Sequence, residues 1–169
     1  EGWRILCSEK KLSKEIIIEG KPMVVSGVID RVDLHADGRI RVLDYKTGGA
    51  TANEVHFKKR DAQWVDLQLP LYRMLLSNIK ELEGKDTSEE NVSLGYFRIG
   101  DQETTTGINL LDLPDEAMAT VDDVITAIMC DIANSKFGEA PTDPAPKYSD
   151  DFAWICQDNS ITEESEGDD

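Results

Sequence analysis

The sequence predicts an α/β protein in which a meander of strands is followed by a helix, a further strand and a second helix. Three observations carry this. Residues 12–46 hold three runs rich in β-branched side chains, separated by turn-forming Gly, Pro and Asp. Apolar residues then recur at helical spacing around Leu71 and again around Ile125. Between these two stretches Asn91 to Ile99 is a short strand-like run.

Leu12 to Glu19 and Lys21 to Leu34 read as the first two strands, punctuated by Gly20-Lys21-Pro22, and Arg39 to Lys46 reads as the third. His35-Ala36-Asp37-Gly38 is a hairpin turn, because Asp-Gly supplies a residue that takes positive φ between the two flanking strands. Residues 51–63 are too polar for more than a loop with some helix. From Asp66 to Asn78 the residues Leu67, Leu71, Met74, Leu75 and Leu76 follow helical spacing, with Asp66 as N-cap and Pro70 in the first turn. Gln68 and Tyr72, four apart, share one face of that helix. Asp101 to Thr106 is a polar turn. Pro114 to Ser135 is an amphipathic helix with Met118, Val121, Ile125, Ile128 and Ile132 as its core stripe. After Gly138 the chain turns Pro-rich and then acidic, so residues 1–157 form the expected domain and 158–169 an acidic tail, disordered over Thr162 to Asp169. No internal repeat is evident.

Chemistry concentrates on the second and third strands. In Gly27-Val28-Ile29-Asp30-Arg31-Val32-Asp33 and Val42-Leu43-Asp44-Tyr45-Lys46-Thr47-Gly48, Asp30 and Asp44 fall near the same end of adjacent strands. Strand side chains alternate, so Asp44 and Lys46 project from one face and Tyr45 from the other. Two carboxylates beside an ammonium make a site for a hard cation such as Mg²⁺ or Mn²⁺, and such a site suits phosphodiester hydrolysis, which needs charge neutralisation and an activated water.

Composition narrows the classes. With 40% apolar and 31% charged residues in 169, the chain can build one real core. No apolar run reaches bilayer length, and the chain opens on Glu1-Gly2-Trp3-Arg4 rather than on a leader, so a cytoplasmic protein without membrane contact is expected, and a fragment of a longer one. Cys7, Cys130 and Cys156 form no disulfide framework, and His35 and His56 leave no zinc-type spacing. Net charge is −16, awkward for gripping a polyanion. Its distribution matters more: residues 1–60 hold 12 Lys and Arg against 9 Asp and Glu, for +3, whereas residues 61–169 hold 6 against 25, for −19. Only the half with the carboxylate pair does not repel nucleic acid, so other parts of a larger protein are expected to supply most of a DNA track.

Three segments together resemble the RecB-like branch of the PD-(D/E)xK nuclease family, closest to the C-terminal nuclease domain of AddB-type helicase-nuclease subunits. They are Gly-Val-Ile-Asp-Arg-Val-Asp, Leu43-Asp44-Tyr45-Lys46-Thr47-Gly48 and Leu67-Gln68-Leu69-Pro70-Leu71-Tyr72, spanning roughly residues 24 to 76. The resemblance implies a restriction-endonuclease-like mixed β-sheet flanked by helices, here without the family's usual N-terminal helix. It implies that Asp30, Asp44 and the carbonyl of Tyr45 bind a Mg²⁺ or Mn²⁺ ion, that Lys46 positions water or stabilises developing charge, and that Gln68 and Tyr72 support the site or touch the substrate backbone. The expected partners are DNA, as single strand or duplex ends, and a helicase subunit or further domains; the expected activity is that of a deoxyribonuclease in recombination or repair. A catalytically silent scaffold of the same fold, binding a partner subunit through its acidic helical face, is the alternative.

Related nucleases often add three closely spaced cysteines after the last helix to hold an iron-sulfur cluster. In Pro146-Lys147-Tyr148-Ser149-Asp150-Asp151-Phe152-Ala153-Trp154-Ile155-Cys156, Lys147 and Asp150 stand at the first two of those positions, so no cluster is expected and Phe152, Trp154 and Ile155 are left as an apolar plug. Plainer readings apply elsewhere. Asp33 is taken as an ion-pair partner of Arg31 or Arg41 rather than an outer-sphere metal contact, and His56 as a surface loop residue. Trp64 and Tyr72 could stack on bases or lie in the core, the core being preferred for Trp64.

Overall fold

The computed structural model describes residues 2–136. β1 (Trp3–Ile18) and β2 (Lys21–His35) form a long antiparallel hairpin. Glu19 and Gly20 close it at φ of 49° and 79°; two successive left-handed residues give a turn whose twist matches that of the strands. β3 (Ile40–Lys46) returns antiparallel to β2 after a turn in which the Gly38 amide donates to the His35 carbonyl at 3.0 Å.

The chain then leaves the sheet through α1 (Ala52–His56), a small ribbon of β4 (Phe57–Lys58) and β5 (Gln63–Trp64), and α2 (Gln68–Leu75). It re-enters as β6 (Val92–Arg98), parallel to β3 along its whole length, and β7 (Gly107–Leu110) adds antiparallel to β6. The strand order β1-β2-β3-β6-β7 makes a mixed five-stranded sheet with β3 at its centre. Ile40, Val42 and Leu43 are accordingly buried whichever face they point to. α3 (Asp115–Met118) and α4 (Val121–Ala133) follow.

Two apolar clusters hold these layers. In the first, Ile29, Val32, Leu34, Ile40 and Val42 of the sheet pack on Leu69, Tyr72 and Leu75 of α2 and on Leu76 and Ile79 just beyond it. In the second, Phe57 and Trp64 of the ribbon meet Ala117, Val121, Ile125 and Met129, with Ile16, Ile18 and Met23 of the long hairpin against them. Each fully buried Leu, Ile or Val side chain contributes about 1.5–3 kcal/mol relative to exposure. The clusters thus fix α2 over the β2–β3 pair and tie α4 to the hairpin.

Several expectations are corrected. β1 begins at Trp3 rather than Leu12, since a register shift between Ile5 and Cys7 and a left-handed Glu9 (φ 46°) break the alternation that marks a strand. α2 starts with Gln68, and its last turn tightens to a 3₁₀ turn at Leu76–Asn78. Asp66 still serves the helix start, accepting from the Gln68 amide at 2.7 Å, although Leu67 is the N-cap residue. The 114–135 helix is broken between Met118 and Val121, and its buried face runs through Ala117, Val121, Ile125 and Met129. Ile128 and Ile132, expected in the stripe, are 44% and 49% exposed. A step of four keeps Met129 under Ile125, whereas the 128 and 132 positions rotate off the contact. β7, only four residues long, is an addition to the expected strands. The proposed 1–157 boundary, the 146–156 segment with Cys156, and the acidic tail lie outside the described residues. Among the described residues no helix is long and apolar enough to cross a membrane.

Candidate active site

β3 presents Asp44 toward α2. Its Oδ1 accepts from Gln68 Nε2 at 3.1 Å, and the same nitrogen lies 2.9 Å from the Tyr72 hydroxyl oxygen. Gln68 and Tyr72 therefore act together, one helical turn apart, on a carboxylate delivered by the sheet. Lys46, two residues along β3, returns to the same face and places Nζ 2.7 Å from Asp44 Oδ2. The contact is an ion pair whose approach lacks hydrogen-bond geometry, leaving this buried oxygen without a hydrogen-bond partner among the described residues. Tyr45 turns to the opposite face, 40% exposed, with its ring edge-on to Phe97 at 5.7 Å between centroids.

Asp30 arrives by a different device. The β2–β3 ladder ends at Arg31–Leu43. Just past it, the Tyr45 amide donates to Asp30 Oδ2 at 2.9 Å, so a side chain fills the place the next β2 carbonyl would take. Alternation along β2 changes phase here: Gly27 faces Leu75 and Tyr72 and Ile29 is fully buried, while Val32 and Leu34 are core residues on the far side of Asp30. Across the ladder, Ser8–Arg31 and Lys10–Ile29 are paired, and the residue between on β1 is the left-handed Glu9. Glu9 thus stands opposite Asp30 with one residue on each strand and no change of register, and its positive φ marks a local distortion of the pairing. With its carboxylate on the Tyr45 amide, Asp30 lies beside Asp44 at the point where β2 leaves β3.

The electrostatics follow from this crowding. Burial pushes the Asp44 carboxyl above its ordinary 3.8; Lys46 pulls it down, and the neighbouring Asp30 carboxylate adds to the rise. Burial likewise raises the Tyr72 phenol, with Asp44 and Asp30 adding to the effect, so its hydroxyl keeps its proton. A second cation would relieve what Lys46 alone does not: two close carboxylates and one buried oxygen lacking a hydrogen bond among the described residues. The residues present thus fit a divalent ion held by Asp30 and Asp44, with remaining positions left for backbone, water or substrate oxygens. Among the described residues no group of three or more His, Cys, Asp and Glu forms a larger side-chain cage. A cavity of about 320 Å³ opens beside Gln68 and Tyr72, walled by Gly27, Val28 and Leu71.

Other expected residues sort clearly. Asp33 is fully buried and held by both Arg31 (2.7 Å) and Arg41 (3.1 Å), which are stacked over Phe97 and Trp3 respectively. Trp64 is core, its indole N–H donating to the Ala117 carbonyl at 3.2 Å. His56 is the main correction. It is fully buried at the end of α1, with Nδ1 2.8 Å from the Asp66 carbonyl and Nε2 2.8 Å from the Tyr96 hydroxyl. Thr51 and Glu54 form a capping box that starts α1 and carries His56 inward. Thr-x-x-Glu is the readable signal for that helix. Tyr96, paired with Asp44 in the parallel ladder, carries no comparable mark in the sequence.

A model of the PD-(D/E)XK nuclease superfamily matches residues 1–158. This chain belongs to the PD-(D/E)XK nuclease superfamily. Its mixed five-stranded sheet flanked by helices is the restriction-endonuclease-like fold of that superfamily, whose nucleases generally use divalent metals. Comparison with curated proteins finds no match.

Proposed function

We propose that this superfamily member is a metal-dependent deoxyribonuclease module of the RecB-like branch, most similar to the nuclease domain of AddB-type helicase-nuclease subunits, and that it hydrolyses DNA phosphodiester bonds in recombination or repair. The observation that carries the reading is the convergence of Asp30, Asp44 and Lys46 where β2 and β3 separate, with Lys46 Nζ 2.7 Å from Asp44 Oδ2. Asp30, Asp44 and the Tyr45 carbonyl would hold Mg²⁺ or Mn²⁺. Such an ion supplies charge neutralisation at the scissile phosphate and makes water a better nucleophile near neutral pH.

Each protein group then has a separate task. Lys46 offers a positive charge to the anion that develops as the phosphodiester is attacked. Gln68 holds Asp44 through Oδ1, leaving Oδ2 for ion and ammonium. Tyr72 fixes the Gln68 amide and borders the adjacent cavity, where a sugar or base of the substrate strand would lie. The positive balance of residues 1–60 favours approach of DNA from this half of the chain. The test is cleavage of single-stranded and duplex DNA with Mg²⁺ or Mn²⁺, using Asp44→Ala as control. Ion-dependent cleavage lost in the variant supports the reading. An intact fold that binds either ion yet cuts neither substrate would leave a silent scaffold in its place.

A further inference from the structure

His56 is a fully buried titratable side chain near the site that the proposed chemistry does not use. It is also bonded at both ring nitrogens. Its Nδ1–H donates to the Asp66 carbonyl, and its Nε2 accepts from the Tyr96 hydroxyl, both at 2.8 Å. Each partner leads back to the carboxylate pair. Asp66 accepts the Gln68 amide at 2.7 Å, and Gln68 Nε2 in turn holds Asp44 Oδ1. Tyr96 is the ladder partner of Asp44, and its ring lies 5.4 Å from Lys46 Nζ. The connections close a ring, Asp44 to Tyr96 to His56 to Asp66 to Gln68 and back to Asp44, drawn from β3, β6, α1, the link before α2 and α2 itself.

We propose that the His56–Tyr96 pair is the positioning element of this site, holding the Tyr96 ring as a platform for the Lys46 ammonium and tying that platform to the helix that orients Asp44. The physical need is specific. Lys46 has a flexible four-carbon stem, and its ammonium must stay beside Asp44 Oδ2 rather than swing to solvent, to which its side chain is 39% exposed. An aromatic face within about 6 Å attracts the ammonium and narrows its range. The ring can do this only if it does not rotate away, and the hydroxyl bond to His56 fixes its far end. His56 itself is held because α1 and the Asp66 carbonyl grip its other nitrogen. Neither His56 nor Tyr96 touches substrate, so both act through Lys46 and Asp44.

This inference rests on the nuclease reading, and its test separates the two. Tyr96→Phe keeps the ring and loses the anchor; Tyr96→Leu loses both; His56→Gln disturbs the anchor alone. The first measurement needs no metal and no activity. Lys46 side-chain proton resonances of the full chain should show an upfield ring-current shift, reduced in Tyr96→Phe and His56→Gln and abolished in Tyr96→Leu. The second is cleavage at saturating Mn²⁺, normalised to the folded fraction from circular dichroism. There kcat should fall about 10-fold or more in Tyr96→Leu, with KM for DNA and Mn²⁺ affinity within about twofold, and Tyr96→Phe should recover a large part of the loss. Wild-type kcat per folded molecule in Tyr96→Leu, or Lys46 resonances without a ring-current shift in the wild type, overturns the proposal. If the wild type itself does not cut, the nuclease reading fails and the resonance measurement alone decides the positioning claim.

Discussion

The Asp30 carboxylate accepts the backbone amide of Tyr45 at 2.9 Å, replacing the ladder bond that would otherwise continue the β2–β3 pairing. One carboxylate oxygen is thus occupied in keeping the strand separation open, and in the proposed nuclease the other would meet the cation. The two jobs can be divided by substitution. Asp30→Asn retains a carbonyl oxygen that can accept from Tyr45, so the fold should keep its stability while Mn²⁺ affinity drops. Asp30→Ala loses both, and should cost about 1 kcal/mol more in urea denaturation of the metal-free chain. Equal stability of the two variants would show that the Tyr45 bond does not hold this junction.

Asp44 gives a pH signature. Its pKa is raised in the folded chain, chiefly by burial, so the folded state binds this proton more tightly than the unfolded state does. Its stabilising contribution is complete below the ordinary value of 3.8 and is lost as pH rises through the folded value. Asp44→Asn carries no such titration. Without divalent ions, the stability difference between variant and wild type should therefore move in favour of Asp44→Asn as pH rises from about 3 toward neutrality. Denaturation curves across that range check the slope. A difference that stays flat, or moves the other way, contradicts burial as the dominant influence on this group.

How far the site was legible in the sequence depends on range. Asp44, Tyr45 and Lys46 lie on one strand, where alternation alone assigns faces, and Gln68 and Tyr72 lie one helical turn apart. Local periodicity is enough for both. The phase change at Asp30 is not readable, because no turn-forming residue marks it and the left-handed residue opposite it, Glu9, lies on a different strand. His56 fails for the opposite reason. It sits in a polar stretch whose short helix carries one ring into the core, and its partner Tyr96 is 40 residues away. The α4 stripe misses by rotation: Ile128 and Ile132 fit a helical template as well as Met129 does, and only the position of β1 and the ribbon selects the face.

Asp33 separates structure from chemistry within one segment. It lies three residues after Asp30 but is fully buried among Arg31 and Arg41, on the sheet face turned away from α2. Asp33→Ala leaves two largely buried guanidinium groups without their shared carboxylate, and should destabilise the chain by about 3 kcal/mol. At temperatures where the variant remains folded, Mn²⁺ affinity should match the wild type, as titration calorimetry would show. A marked loss of ion affinity in folded Asp33→Ala would place this residue in the metal's outer sphere and revise the division of roles along β2.

Lys46 offers the sharpest contrast between binding and chemistry. Its ammonium stands 2.7 Å from Asp44 Oδ2, where it opposes any incoming cation by charge and at the same time can stabilise an anionic transition state. Lys46→Ala should therefore lower kcat by about 100-fold or more, the usual loss for one preorganised electrostatic group, while Mn²⁺ affinity stays equal or improves slightly. Asp44→Ala should do the reverse at the binding step, weakening Mn²⁺ itself because it removes the buried ligand oxygen. Calorimetric titration with Mn²⁺ and single-turnover cleavage, run on the same preparations, separate the two effects. Cleavage by Lys46→Ala at the wild-type rate would remove the ammonium from the mechanism, and with it the reason for Tyr96 to lie beneath this side chain, while leaving the fold and the superfamily assignment as they stand.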